Sequence, residues 1–197
     1  KTQSRESIGE KISIEENRTL IRPYDDIDII AGQGTAGKEI YEQLMQSSII
    51  PDIYLCCCGG GGLIAGTSTY LKDKFKNIKS FSVEPFGFDD TKKSLNSGKI
   101  LSNEKGYQSI CDAIITPQPG NLTFPINLKN LEDGLVVNDD QVKNSIKILA
   151  EHLKIIVEPG GAVAATAALT EKIDLKNKTV VVMISGGNID LEMFRRL

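Results

Sequence analysis

The stretch YLCCCGGGGLIAG, Tyr54 to Gly66, sets an apolar run against four consecutive glycines and then a segment suited to a helix. Four glycines in a row remove every β-carbon from a turn, so the backbone can reach positive φ and successive N–H groups can converge on one anion. With Ile53 to Cys58 as a buried strand and Leu63 to Phe75 as the helix that follows, Gly59 to Gly62 sit at a helix N-terminus. Orphan amides and the helix macrodipole favour a phosphate there. The same residues also read as a merely tight strand-to-helix turn, which α/β proteins use often.

Downstream, KSFSVEP alternates as the next strand and stops at Pro85, completing a strand–helix–strand unit with parallel strands. Upstream, Asp25 to Ile30 leads into AGQGTAGKEIYEQL, where Gly32 and Gly34 are expected to open a second helix from about Thr35 to Met45. Arg5 to Glu16 has helical spacing, and Thr19 to Arg22 reads as a short strand ending at Pro23. Residues 86–125 are the least periodic, with one helix expected at TKKSLNSG. GLVVN reads as a strand, and Asp139 or Asp140 is expected to cap a helix through Val142, Ile146, Leu149 and Leu153 that stops near the glycines of VEPGG. AVAATAALTEK is helical, and KTVVVMISGGN is expected to be a continuous strand covered on both faces. The fold class is therefore α/β, a parallel sheet flanked by helices. In such sheets ligands bind at the carboxyl ends of strands, so GGGG and SGGN point to one crevice.

At 197 residues, 40% hydrophobic and with a net charge of -3, the chain reads as a soluble protein of one or two domains. No segment has the length and apolarity of a membrane span, no basic run marks a nucleic-acid footprint, and KTQSRESIGEK lacks the apolar stretch of a signal peptide. The cytoplasm is the expected compartment. Cys56, Cys57 and Cys58 alternate faces on one strand and Cys111 is remote, a spacing that suits small apolar filler in a reduced protein better than a zinc site. His152 falls on a polar helix without a nucleophile motif and reads as solvated.

Four stretches, IIAGQGTAGKEI, CCCGGGGLIAG, VEPGGAVAATAAL and VVVMISGGNIDL, occur in the order and spacing of the serine/threonine dehydratase family, and the resemblance spans nearly the whole chain. That family comprises threonine ammonia-lyases, hydroxyaspartate ammonia-lyases and serine racemases, pyridoxal-phosphate (PLP) enzymes of the tryptophan-synthase β-like fold, fold type II. The resemblance implies that Gly59, Gly60, Gly61, Gly62 and the Leu63 amide hold the cofactor phosphate and that Ser185 hydrogen-bonds the pyridine nitrogen. Unlike a carboxylate, a hydroxyl does not keep that nitrogen protonated, which favours loss of a β-substituent. Glu84, the Phe88 carbonyl and Asp90 match the family's divalent-cation loop, with oxygen ligands suited to Mg2+ or Ca2+. A solvated acidic loop is the plainer reading of the same residues. Glu158 is implied to lie beside the cofactor, in an electrostatic role or as a helix cap.

The family's Schiff-base lysine lies in a Ser-Phe-Lys-x-Arg-Gly type motif and its substrate-carboxylate loop in a Ser-Ser-Gly-Asn-His-Gly type motif. Neither occurs in these residues, and every lysine present, Lys154 included, lies in a polar run or on an outer helix face. The resemblance thus implies the C-terminal part of a longer polypeptide, with residues 1–22 ending a small domain and 23–197 forming the large PLP-binding domain. No regulatory domain of the feedback-inhibited type is expected to follow. A small amino acid is the expected substrate, the missing N-terminal segment the expected partner, and a homodimer the expected assembly. The expected reaction is conversion of a β-hydroxy amino acid to a 2-oxo acid and ammonia, with serine racemase or hydroxyaspartate ammonia-lyase as alternatives. A noncatalytic phosphate- or nucleotide-binding module is the reading of a different class; the absence of a Walker lysine counts against a nucleotide site.

Overall fold

The computed structural model describes residues 5–197, so Lys1 to Ser4 of the expected small-domain segment lie outside the described residues. The first helix, α1 (Arg5–Glu15), is followed by irregular chain. The strand expected at Thr19 to Arg22 does not form. The segment turns back on its own helix instead: Arg22 pairs with Glu10 at 3.2 Å, and the Ser13 hydroxyl donates to the Arg18 carbonyl at 2.7 Å.

Helix α2 (Ile27–Gln46) begins well before the expected Thr35. Asp26 caps it, its carboxylate accepting the N–H groups of Asp28 and Ile29. Gly32 and Gly34 are therefore interior helix residues; packing explains Gly34, while a β-carbon on Gly32 would meet open space. Helix α3 (Gly62–Lys74) crosses so close that a β-carbon on Gly66 would lie 2.2 Å from the Ile30 carbonyl oxygen and 2.7 Å from the Gly34 nitrogen. Of the two glycines that suggested a turn, Gly34 serves close helix contact.

A parallel four-stranded sheet forms the centre, in the order β3 (Leu131–Val137), β2 (Lys79–Pro85), β1 (Ile53–Cys57), β4 (Val180–Val182). Leu55 pairs with Phe81 on one side and Val182 on the other. Every residue of β1 is buried, as its unbroken apolar run requires of a central parallel strand. Burying a side chain such as Leu55 contributes about 2 kcal/mol. Strand β4 is shorter than expected and only half-buried, because it is the outer strand of this sheet and its chain leaves the ladder after Met183 donates to the Leu55 carbonyl. No helix among the described residues is long and apolar enough to cross a membrane.

Helix α4 (Asp90–Ser97) follows β2 and matches its expected position. Helix α5 (Thr123–Asn130) was not expected, since it starts in the aperiodic stretch 86–125; Pro125 lies in its first turn, where a missing N–H costs nothing. Helix α6 (Asp139–Leu153) is capped by Asn138 rather than by either aspartate, in a reciprocal capping box with Gln141. It ends at Lys154, in left-handed conformation, before the glycines of VEPGG. Those glycines lie in the first turn of α7 (Pro159–Leu169), a small-residue helix buried along most of its length. A six-residue helix, α8 (Leu191–Arg196), ends the chain.

Candidate active site

The strand order reverses beside β1: the chain steps outward through β2 and β3 on one side and reaches β4 on the other. A crevice at the carboxyl ends of such strands is where open α/β sheets bind ligands. Gly59 to Gly62 leave β1 at this point and Ser185 to Asn188 follow β4.

The glycine loop holds its carbonyls and leaves its amides unclaimed. Gly61 is the residue with positive φ, +91°, and it occupies the N-cap position of α3. Carbonyl groups are turned away and held: the Gly60 oxygen accepts from Thr123 Oγ1 at 2.6 Å and Gly120 N at 3.2 Å, and the Gly61 oxygen accepts from Asn127 Nδ2 at 3.3 Å and Ala65 N at 3.0 Å. Among the described residues no acceptor reaches the N–H groups of Gly59 through Ile64. Unclaimed donors on a left-handed turn at a helix N-terminus fit a phosphate. The four glycines do not share one reason. Gly60 does not have positive φ; a β-carbon there would lie 2.2 Å from the Tyr24 ring, so contact rather than backbone angle demands glycine.

Ser185 meets β1 through Cys57, whose thiol lies 3.2 Å from the serine hydroxyl. Glu158 stands at the N-cap position of α7 but makes no side-chain cap, so helix capping is not its role. Its carboxylate turns to the other strand end, where Oε2 accepts the Asn188 N–H at 3.0 Å. The structure thus brings Ser185 and Glu158 to the two sides of one turn beside the glycine loop. His152 is exposed on α6, and Lys154 is exposed with its ammonium on the Glu151 carbonyl. All four cysteines are free and buried. Burial pushes the thiols of Cys56, Cys58 and Cys111 up, the last to about 12.

Glu84, Phe88 and Asp90 surround the turn between β2 and α4. Glu84 is fully buried, and its carboxylate oxygens accept the N–H groups of Thr91 and Lys92 at 2.8 and 2.9 Å, holding the first turn of α4. Burial, and then the neighbouring Asp90, push its pKa up. Asp90 is buried and pushed up to about 7 by loss of solvent. Asn103 Nδ2 donates to Asp90 Oδ1 and to the Thr116 carbonyl. Asp90 Oδ2, Asn103 Oδ1 and Thr116 Oγ1 are buried without partners. Cys58 Sγ, 3.3 Å from Thr91 Oγ1, ties this turn to the strand that carries the glycine loop.

Several site residues carried no signal in the sequence reading. Thr123 and Asn127, one turn apart on α5, face the glycine loop; their i, i+4 spacing is visible once TFPINL is read as a helix. Asp25, at φ 57°, accepts the N–H groups of Leu122 and Thr123 at 2.6 and 3.3 Å and so fixes the start of α5. Tyr24 covers Gly60.

A sequence profile of the pyridoxal-phosphate dependent enzyme family matches residues 1–186. A serine racemase of Dictyostelium discoideum is 38% identical over 99% of this chain and 60% of its own length. An L-threo-3-hydroxyaspartate ammonia-lyase of Saccharomyces cerevisiae is 36% identical over 100% of this chain and 59% of its own. The crystal structure of a T.th. threonine deaminase superposes with a TM-score of 0.88 at 34% identity, over 95% of this chain and 63% of that one. The chain therefore spans about three fifths of the length of these relatives. The fold is that of the fold type II enzymes, and this chain belongs to the pyridoxal-phosphate dependent enzyme family.

Proposed function

We infer that these residues form the cofactor-binding part of an ammonia-lyase that converts a β-hydroxy amino acid to a 2-oxo acid and ammonia. The observation that supports the reading is the placement of unclaimed amides at Gly59 to Leu63 after β1 and of Ser185, 3.2 Å from Cys57, after the adjacent β4, at one strand reversal. In this reading the amides of Gly59, Gly60, Gly61, Gly62 and Leu63 hold the phosphate of pyridoxal phosphate, and Ser185 donates a hydrogen bond to its ring nitrogen. When bound, the cofactor supplies the electron sink that makes the α-proton of an amino acid acidic. Ser185 offers that ring a neutral partner, and Glu158 keeps the serine turn in place. The family's lysine and substrate-carboxylate motifs are not among these 197 residues, so the chain by itself is expected to bind the cofactor without turnover. Residues 1–22 are assigned to the end of a smaller domain, and the working protein to a homodimer in a reducing compartment such as the cytoplasm, in keeping with four unpaired cysteines.

The test is ammonia and 2-oxo acid release from serine, threonine and 3-hydroxyaspartate by the full-length protein, with the enantiomers of residual substrate followed in parallel. Release from none of them would overturn the lyase reading. Interconversion of serine enantiomers without ammonia would support racemisation, the second reading, which is favoured by the 38% identity to a serine racemase.

The buried oxygens around Asp90 support one further assignment, a Mg2+ or Ca2+ ion held by Glu84, the Phe88 carbonyl and Asp90. The lone pairs of Asp90 Oδ2, Asn103 Oδ1 and Thr116 Oγ1 without donors are what such a cation would satisfy, directly or through water. A melting temperature indifferent to millimolar Mg2+ and Ca2+ would remove it.

A further inference from the structure

We propose that Cys57 is a positioning residue for Ser185: its thiol donates to the serine oxygen and so leaves the single hydroxyl proton free to point at the cofactor's ring nitrogen. The proposal rests on the assignment of Ser185 made above. Its basis is the register of two adjacent parallel strands. Leu55 pairs with Val182, and Met183 N–H donates to the Leu55 carbonyl at 2.9 Å, so the strand ends are locked immediately before the chains diverge. Cys57, the last residue of β1 and 4% exposed, then places Sγ 3.2 Å from Ser185 Oγ.

A serine hydroxyl has one proton and two lone pairs. Unaided, that proton has several directions open to it; a donor seated on one lone pair removes some of them. The Glu158 carboxylate accepts the Asn188 N–H through Oε2, three residues beyond Ser185. The neighbouring Cys56 thiol does not compete for this contact: it donates to the Cys57 carbonyl at 3.4 Å.

The experiment is nitrogen NMR of the full-length protein loaded with pyridoxal phosphate labelled with 15N in the ring, together with the rate of cofactor release. Ser185→Ala should move the ring-nitrogen signal. Cys57→Ala should move it part of the way in the same direction and speed cofactor release roughly threefold, as expected for loss of one weak donor. Cys57→Ser, which restores a donor, should keep the original signal. In the Ser185→Ala background Cys57→Ala should add nothing. If Cys57→Ala does not fold, Cys57→Val fills the space without a donor and gives the same reading. A signal moved by Ser185→Ala and untouched by Cys57→Ala or Cys57→Val overturns the proposal. A signal untouched by Ser185→Ala overturns the assignment of Ser185 itself.

Discussion

Glu158 and Asn188 are joined at 3.0 Å, carboxylate Oε2 to backbone N–H, while the Glu158 N–H donates to the Gly186 carbonyl, also at 3.0 Å. One residue at the start of α7 thus closes both ends of the turn that follows β4. The turn accommodates it only because Gly186 has no side chain: a β-carbon there would lie 2.6 Å from Glu158 Oε1. Ser185 is accordingly held from two directions, by this brace on one side and by Cys57 on the other.

Glu158→Ala should lower stability by about 1 kcal/mol for the lost hydrogen bond and weaken cofactor retention with it. Glu158→Gln keeps an acceptor for the Asn188 N–H and should stay close to the parent in both. Gly186→Ala should imitate Glu158→Ala by displacing the carboxylate. Urea denaturation and cofactor titration read these effects, and an unaffected Gly186→Ala protein would count decisively against the brace.

Gly60 and Tyr24 give a contact that can be tested by rescue. Gly60→Ala introduces a β-carbon 2.2 Å from the Tyr24 ring, so either the loop or residues 23–25 must shift. Overpacking of this kind costs roughly 1–3 kcal/mol. Tyr24→Ala opens the space, and the double variant should recover a good part of the affinity for pyridoxal phosphate that Gly60→Ala loses. Gly61→Ala should not be rescued in this way, since its cost includes a backbone φ of +91°.

Thr123→Val replaces the hydroxyl that holds the Gly60 carbonyl at 2.6 Å with a methyl group of similar size. The carbonyl keeps Gly120 N–H at 3.2 Å, so stability should fall only by about 1 kcal/mol. Cofactor affinity should fall too, because the peptide plane that presents the loop amides becomes freer to rotate. Equal affinity in Thr123→Val and the parent would show that the hydroxyl has no part in shaping the cradle.

The α/β class, the strand and helix flanking the glycine loop, and the placement of GGGG and SGGN after strands were legible because each rests on a local pattern: a fully apolar run, consecutive glycines, a strand end rich in small residues. Where one residue type serves two purposes, sequence reading failed. Gly32 and Gly34 have the composition of a turn, yet both lie inside α2, and Gly34 permits that helix to lie against α3; that purpose is visible only with Gly66 across the interface. Thr123 holds the Gly60 carbonyl from 63 residues away, and Asp25 fixes the start of α5 from 97 residues before Leu122; no local pattern marks such a support. Helix α5 was missed because it is eight residues long and starts in an aperiodic stretch, with Pro125 tolerated in its first turn.

Asp90 supplies a dependence on pH. Loss of solvent raises its pKa from 3.8 in the ordinary state to about 7 in the fold, so the native chain holds a proton that the unfolded chain releases. Its contribution to stability is therefore full below pH 4, declines as pH rises to 7 and is flat above. Asp90→Asn keeps an oxygen for Asn103 and removes the charge, so without metal the variant should gain on the parent across that window, by on the order of 2 kcal/mol at pH 8. With the cation proposed for this turn, Mg2+ or Ca2+ at pH 8 should raise the parent's melting temperature and leave Asp90→Asn nearly unchanged, and at pH 5 it should do little to either. Melting curves at both pH values, in chelator and in millimolar metal, decide it. A difference between parent and variant that is the same at pH 5 and pH 8 would mean that Asp90 does not titrate in this range, and a cation response retained by the variant would place the ion elsewhere.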